Sequence, residues 1–209
     1  METNVLNKLT YGLYILSSKK GDKANGCIID ACIQVGVDPD RVLISVMNSN
    51  YTRKLIKDSK AFCIAVLDED CPFELIKHFG YQSGKDIDKF DGITTFDDIN
   101  DIPCVLTHTV AAISAHVVES INIGSHTIFI GKVKDMKLLS HKNPMTYAYY
   151  QQHVMPKTDK PDDTGDERPI IGWKCTVCGS IYSDAILPND YTCSVCGHPA
   201  GDFIPLYEL

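Results

Sequence analysis

Two Cys-x-x-Cys-Gly knuckles, Cys175-Thr-Val-Cys178-Gly179 and Cys193-Ser-Val-Cys196-Gly197, stand near the end of the 209-residue sequence with fourteen residues between Cys178 and Cys193. In each knuckle two thiolates lie one tight turn apart, the glycine permits a backbone conformation that a Cβ resists, and backbone N–H groups can point at sulfur. Two facing knuckles supply a tetrahedron of sulfurs, which suits zinc or a single iron. Disulfides are not expected, because the sequence opens without a secretory signal and its other five cysteines are scattered singly. Zinc would make the module a structural ribbon; iron would make it an electron carrier.

The residues around the knuckles extend the pattern. Trp173-Lys-Cys175, Ile181-Tyr182, Leu187-Pro-Asn-Asp-Tyr191-Thr-Cys193 and Gly197-His-Pro-Ala-Gly-Asp-Phe203 together resemble rubredoxin from about Ile171 to Leu206. The resemblance implies an iron site at Cys175, Cys178, Cys193 and Cys196, with Trp173, Tyr182, Tyr191 and Phe203 clustered beside it. The sequence departs from that family in a shorter stretch between knuckles, in Tyr191 where tryptophan is usual, and in Ser180 where an aromatic is usual. A short inter-knuckle loop also occurs in the rubredoxin-like modules of rubrerythrins.

The rest of the chain must position this module and give it something to exchange electrons with. A forty-residue unit buries too little apolar surface to hold itself together, so metal ligation must supply much of its folding free energy. The remaining length fits one ordinary domain, and the expected organisation is a domain over 1–155, a tether over 156–170 and the metal module over 171–209. The stretch from Met155 to Pro169 is rich in proline and charge and poor in apolar residues, and about fifteen residues reach roughly 50 Å at full extension. Hydrophobic residues make up 44% and charged residues 22%, with a net charge of −7. No run approaches the length of a membrane span, and the acidity argues against a nucleic-acid partner. Cytoplasmic residence is expected, in a reducing interior where single thiols persist. Cys63, inside the run Ala61–Leu67, reads as a small buried hydrophobe, and the spacing of Cys27, Cys32, Cys71 and Cys104 suggests no second metal site.

The first domain reads as mainly β with a few helices. Strands are expected in Leu9–Ser17, Arg41–Met47, Ala61–Leu67, Pro103–Glu119 and His126–Met136, where β-branched and aromatic residues concentrate. Helices are expected over Thr52–Ser59 with Thr52 as its cap, over Pro72–Phe79 with proline in its first turn, and from about Pro144 through Tyr150. Strands in succession without matching helices favour a barrel over a doubly wound sheet.

Five segments then make the assignment specific: Leu9-Thr-Tyr-Gly-Leu-Tyr14; Ala24-Asn-Gly-Cys-Ile-Ile-Asp-Ala31 leading to Gln34–Pro39; Val46-Met-Asn-Ser-Asn-Tyr-Thr-Arg-Lys-Leu-Ile56; Phe79–Phe90; and Gly124-Ser-His-Thr-Ile-Phe-Ile-Gly-Lys-Val133. In this order they resemble the flavin reductase-like family of FMN-binding split β-barrels. With a tetrathiolate iron module behind them, the whole chain resembles the high-molecular-weight rubredoxins. The resemblance implies a homodimer that takes electrons from NADH or NADPH through FMN to the iron, and onward to a flavodiiron-type oxygen or nitric oxide reductase. The alternative is a flavin reductase that releases reduced flavin and carries a structural zinc ribbon.

For FMN, Asn48, Ser49, Asn50, Thr52 and Arg53 open a helix that can meet the phosphate. Asn25, Gly26, Cys27 and Ile28 match the segment whose backbone approaches the ring, and His126 the segment that approaches the nicotinamide side; an ordinary capped helix, a turn between strands and a hydrogen-bonded strand residue are the respective structural alternatives. Tyr147, Tyr149 and Tyr150 either border the flavin or pack a dimer. Asp30 would repel phosphate unless it faces away or pairs with Arg53 or Lys54. Hydride transfer to flavin obliges no protein acid or base, so no catalytic residue is named.

Overall fold

The computed structural model describes residues 8–156, 169–176, 180–194 and 197–207. Cys178, Cys196 and most of the expected tether lie outside them. The chain divides into two compact units with the boundary between Met155 and Pro156.

The first unit is built on β1 (Tyr14–Lys20), β2 (Lys23–Ile29), β3 (Cys32–Val37), β4 (Asp40–Met47), α1 (Tyr51–Ser59), β5 (Ala61–Leu67), α2 (Phe73–Gly80), β6 (Thr95–Asp97), β7 (Pro103–Val105), β8 (Thr109–Asn122), β9 (His126–Leu138) and α3 (Tyr147–Tyr149). Seven strands form one antiparallel sheet in the order β2-β1-β5-β8-β9-β4-β3, and β6 pairs with β7 apart from it. The outermost strands, β2 and β3, are consecutive in the chain, with only Asp30 and Ala31 between them. Laid flat, seven strands would separate those edges by about 29 Å, whereas the step from Ile29 to Cys32 spans at most about 11 Å. The sheet therefore curls into a barrel left open along the β2/β3 seam.

Central β5 reads Ala-Phe-Cys-Ile-Ala-Val-Leu because both its faces are covered. Phe62, Phe129, Leu16, Ile44 and Ile56 fill one core, and Ile15, Leu67, Ile76, Phe79 and Ile102 the other, between the sheet and α2. Cys27, Cys63, Cys71 and Cys104 are buried and none is bridged. Burial pushes the Cys71 thiol up to about 12, and the Cys104 contact followed by burial raises Cys63 further, so these thiols are poor nucleophiles.

Several local expectations change. The run Pro103–Glu119 is two strands, because the chain turns at Leu106–His108 with His108 at φ 57°. The first strand begins at Tyr14 instead of Leu9, with Gly12 bridging Thr146. Asn50 caps α1, its side-chain oxygen accepting from the Thr52 N–H at 2.9 Å, and Thr52 sits inside the first turn. Asn accepts this bond from an extended backbone (ψ 131°) before the helix begins, which a residue already in the helix cannot do. Pro72 occupies the cap position of α2. The third helix is a single turn followed by a wider turn over Tyr150–Val154.

The second unit holds β10 (Ile170–Cys175), β11 (Ile181–Tyr182) and β12 (Phe203–Tyr207) in a sheet of order β11-β10-β12. Trp173, Cys175, Cys193 and Phe203 form its core with Tyr182, Tyr191, Leu187 and Ile170 packed against them. Tyr182 and Tyr191 rings stand 4.5 Å apart, and Tyr191 meets Phe203 edge-on at 5.4 Å, so the four aromatics expected to cluster do so. Among the described residues no helix is long and apolar enough to cross a membrane.

Candidate functional site

Five of the sequence-derived residues gather at the first turn of α1, a nine-residue helix whose leading N–H groups have no intrahelical acceptors. Asn25 on β2 is buried and donates from Nδ2 to Thr52 Oγ1 at 2.9 Å. Asn50 caps the helix. Asn48 holds the end of β9 to the end of β4: its Nδ2 donates to Gly124 O at 2.6 Å, and its Oδ1 accepts from Thr127 Oγ1 at 2.6 Å. Arg53 Nε donates to the same Thr127 Oγ1 at 3.1 Å. Ser49 is exposed in the connecting turn.

The other candidates lie differently. Along β2 successive side chains face opposite ways, so Asn25 and Cys27 face the α1 side while Gly26 and Ile28 face α2. A Cβ on Gly26 would stand 2.8 Å from Phe79 Cε1, so the glycine is filled against by a ring of α2. Burial raises the Cys27 thiol, offset in part by the Thr52 side chain, by Lys89 and by Asn50. His126 pairs opposite Met47 and contacts Ser125 Oγ through Nδ1 at 2.8 Å; strand alternation turns it to the sheet face opposite Thr127. Tyr150 is buried, with Tyr147 and Tyr149 packed against the same core.

Lys89 was not anticipated. It is 3% exposed, and its ammonium donates to Gly26 O at 3.0 Å and Phe79 O at 2.7 Å. His78 Nε2 lies 2.8 Å from the Lys89 carbonyl. Burial lowers the Lys89 pKa below the ordinary lysine value, and among the described residues no carboxylate pairs with it. Lys89 falls inside the matching segment Phe79–Phe90, but nothing in the sequence marks it singly; the Phe79 and Phe90 rings pack at 5.5 Å and draw the loop inward. The loop closes over β2 so tightly that a Cβ on Gly84 would collide with the Asn25 amide.

Helix N–H groups, neutral amides, hydroxyls and one guanidinium make a donor-rich cradle, and the buried Lys89 ammonium sits on the carbonyl of Gly26, next along β2 to Asn25. No carboxylate is hydrogen-bonded to Asn25, Asn48, Asn50, Thr52, Arg53, Thr127 or Lys89 among the described residues. This donor set fits the phosphate of a flavin nucleotide. Asp30 lies five residues beyond Asn25, about 17 Å along an extended chain. It lines a separate cavity of about 460 Å³ with Tyr11, Tyr14, Cys32, Met145 and Thr146. Arg53 is engaged with Thr127 and Lys54 with Asp58, so Asp30 faces away from the cradle and pairs with neither base.

Because Gly26 fills its space against Phe79, Gly26→Ala is expected to cost about 1–3 kcal/mol by overpacking. Thermal unfolding would read this as a fall in Tm of about 2–4 °C per kcal/mol.

In the second unit the two knuckles close alike. Cys175 N–H donates to Ser180 O at 2.8 Å and Cys193 N–H to His198 O at 2.7 Å, each reaching a carbonyl five residues on. Gly197 takes φ 76°, where a Cβ is strained, and donates to Cys193 O at 2.8 Å. Cys175 and Cys193 are 0% and 3% exposed in one aromatic core. Two buried thiols, each on a residue whose N–H makes the same bond five residues on, fit a thiolate metal site; Cys178 and Cys196 would complete it.

Residues 6–158 match the flavin reductase like domain family, and residues 173–204 match the rubrerythrin, rubredoxin-like domain family. The chain belongs to the flavin reductase-like family, in the group with a C-terminal rubredoxin-like domain, the high-molecular-weight rubredoxins. It is 36% identical to the high molecular weight rubredoxin of Moorella thermoacetica, covering 94% of this chain and 96% of that one. It is 33% identical to the ferric-chelate reductase (NAD(P)H) of Archaeoglobus fulgidus, over 77% of this chain and 94% of that protein. Its fold also matches nitrilotriacetate monooxygenase component B from Mycobacterium thermoresistibile, at TM-score 0.63 and 21% identity over 77% of this chain and 91% of that one. A flavin and an iron are accordingly the redox groups of this chain, a flavin-dependent oxidoreductase.

Proposed function

We propose that the chain oxidises NADH or NADPH at FMN and passes the electrons to a tetrathiolate iron in its own C-terminal module, and from there to a redox protein of the flavodiiron type. The observation that carries this reading is the pairing, in one chain, of an anion cradle on an open flavin-reductase barrel with two thiolate knuckles in an aromatic core. Flavin supplies the exchange between a donor that gives two electrons as hydride and a centre that accepts one at a time.

The chain's own residues bind and orient. The N–H groups of the α1 first turn, with Asn48, Asn50, Thr52 and Arg53, hold the phosphate, and the Lys89 ammonium supplies buried positive charge beside them. FMN is favoured over a dinucleotide because these donors gather at one helix start, which suits a single terminal phosphate. Gly26 turns its carbonyl to Lys89 and away from β1, so Ile28, two residues on, presents its backbone to the same open strand edge. That edge is where a ring would lie against β2. No side chain is required to move a proton. Cys175, Cys178, Cys193 and Cys196 hold the iron, and Trp173, Tyr182, Tyr191 and Phe203 limit water around it. A homodimer places a second barrel against the first, and the acidic module (Lys174 against Asp184, Asp190, Asp202 and Glu208) suits docking on a basic face of the acceptor.

Quantifying flavin and metal in protein produced with ample iron tests the assignment. FMN and iron in equal amounts with the chain are expected. Zinc with weakly held flavin would replace the reading with that of a flavin reductase carrying a structural ribbon.

A further inference from the structure

We propose that the Ser180 hydroxyl donates a hydrogen bond to the metal-bound sulfur of Cys193 and raises the reduction potential of the centre. The inference deepens the iron assignment and rests on it. Ser180 Oγ lies 3.0 Å from Cys193 Sγ. The two residues belong to different knuckles: Ser180 closes the first through its carbonyl, and Cys193 opens the second.

Between a hydroxyl and a free thiol either atom can donate. A metal-bound thiolate carries no proton, so once the site is loaded the hydroxyl is the donor. Its geometry is held at both ends. The Ser180 carbonyl accepts from Cys175 N–H, and the next residue, Ile181, enters β11 opposite Lys174. Cys193 lies in the core of Trp173 and Phe203, where a low local dielectric strengthens such a bond.

On one-electron reduction no bond breaks and no proton moves, and the sulfurs take on more negative charge. A fixed hydroxyl dipole aimed at one sulfur favours that state over the oxidised one. Ser180 is also where the sequence departs from the usual rubredoxin aromatic. The departure therefore installs a hydroxyl donor at a ligand sulfur, and Ser180 acts as a positioning residue that sets the potential and leaves the ligand set unchanged.

The test is an optical redox titration of the iron-loaded full chain. Ser180→Ala is expected to shift the reduction equilibrium about tenfold toward the oxidised form, ~59 mV lower for a one-electron couple. Ser180→Thr, which keeps the hydroxyl, is expected to return close to the parent. A Ser180→Ala potential equal to the parent's overturns the proposal. Cadmium-substituted parent protein gives a second readout independent of any variant. A slowly exchanging Ser180 hydroxyl proton with scalar coupling to the metal is expected by nuclear magnetic resonance, and a freely exchanging, uncoupled one overturns the bond. Zinc as the native metal would defeat the electron-carrier reading, while the cadmium experiment would still decide the Ser180 contact.

Discussion

Replacing Cys193 with serine is expected to leave reduction of bound FMN by NADH at its parental rate and to abolish electron delivery to a flavodiiron-type acceptor. Cys193 is 3% exposed at the centre of the second unit's core, and the residues proposed to hold the phosphate, Asn48, Asn50, Thr52 and Arg53, belong to the first unit. A hydroxyl is a poor ligand for iron beside thiolates, and a unit this small needs its metal to fold, so the loss should be complete, beyond the roughly 10–100-fold that changes around a retained metal produce. Stopped-flow absorbance at the flavin band and acceptor turnover separate the two steps. Parental acceptor turnover in the variant would rule out the route through the module.

The second large effect concerns Lys89. Among the described residues its ammonium meets the Gly26 and Phe79 carbonyls and no carboxylate, and a phosphate would supply an anion. A hydrogen bond to a charged group is worth about 1.5–3 kcal/mol, so Lys89→Met should weaken FMN about ten- to a hundredfold while riboflavin, which lacks the phosphate, binds as before. Burial lowers the lysine's pKa, so in the parent FMN affinity should fall as pH rises toward the ordinary lysine range and the ammonium deprotonates. In the variant that alkaline loss should disappear. Titration of both ligands across pH reads this directly. Equal weakening of FMN and riboflavin would make Lys89 a structural tie between β2 and α2 and nothing more.

The parts of this architecture that were legible in the sequence are those whose signal is local. The knuckles declare themselves because a metal needs fixed spacing and a glycine, and β5 and β9 because apolar runs with β-branched residues have few other uses. Strands β2 and β3 were harder. Lys-Ala-Asn-Gly-Cys-Ile-Ile carries a turn-like Asn-Gly, and Cys-Ile-Gln-Val-Gly-Val exposes Ile33, Val35 and Val37. Both are edge strands, paired on one side only, so neither needs the dense apolar pattern of a central strand. Each is defined by a hairpin with its chain neighbour, Ser17 opposite Gly26 and Cys32 opposite Ile44 across two-residue turns, which the side-chain pattern of the edge strand alone does not announce.

The same division runs through the candidate site. Asn48, Asn50, Thr52 and Arg53 could be read because a helix start is a short-range event. Thr127 and Lys89 could not, since each joins the cradle by a fold that brings it across seventy-four or sixty-three positions. The cap passed from Thr52 to Asn50 for a related reason: both residues are good caps, and only the backbone shows which one stands outside the first turn.

The central claim, an internal path from nicotinamide through FMN to iron, is met most directly by recording the visible spectrum of the purified full chain and adding NADH without oxygen. Flavin absorbance and ferric-thiolate bands should both be present and both bleach. Bleaching of the flavin with ferric bands that persist, or that are absent because the metal is zinc, would contradict it.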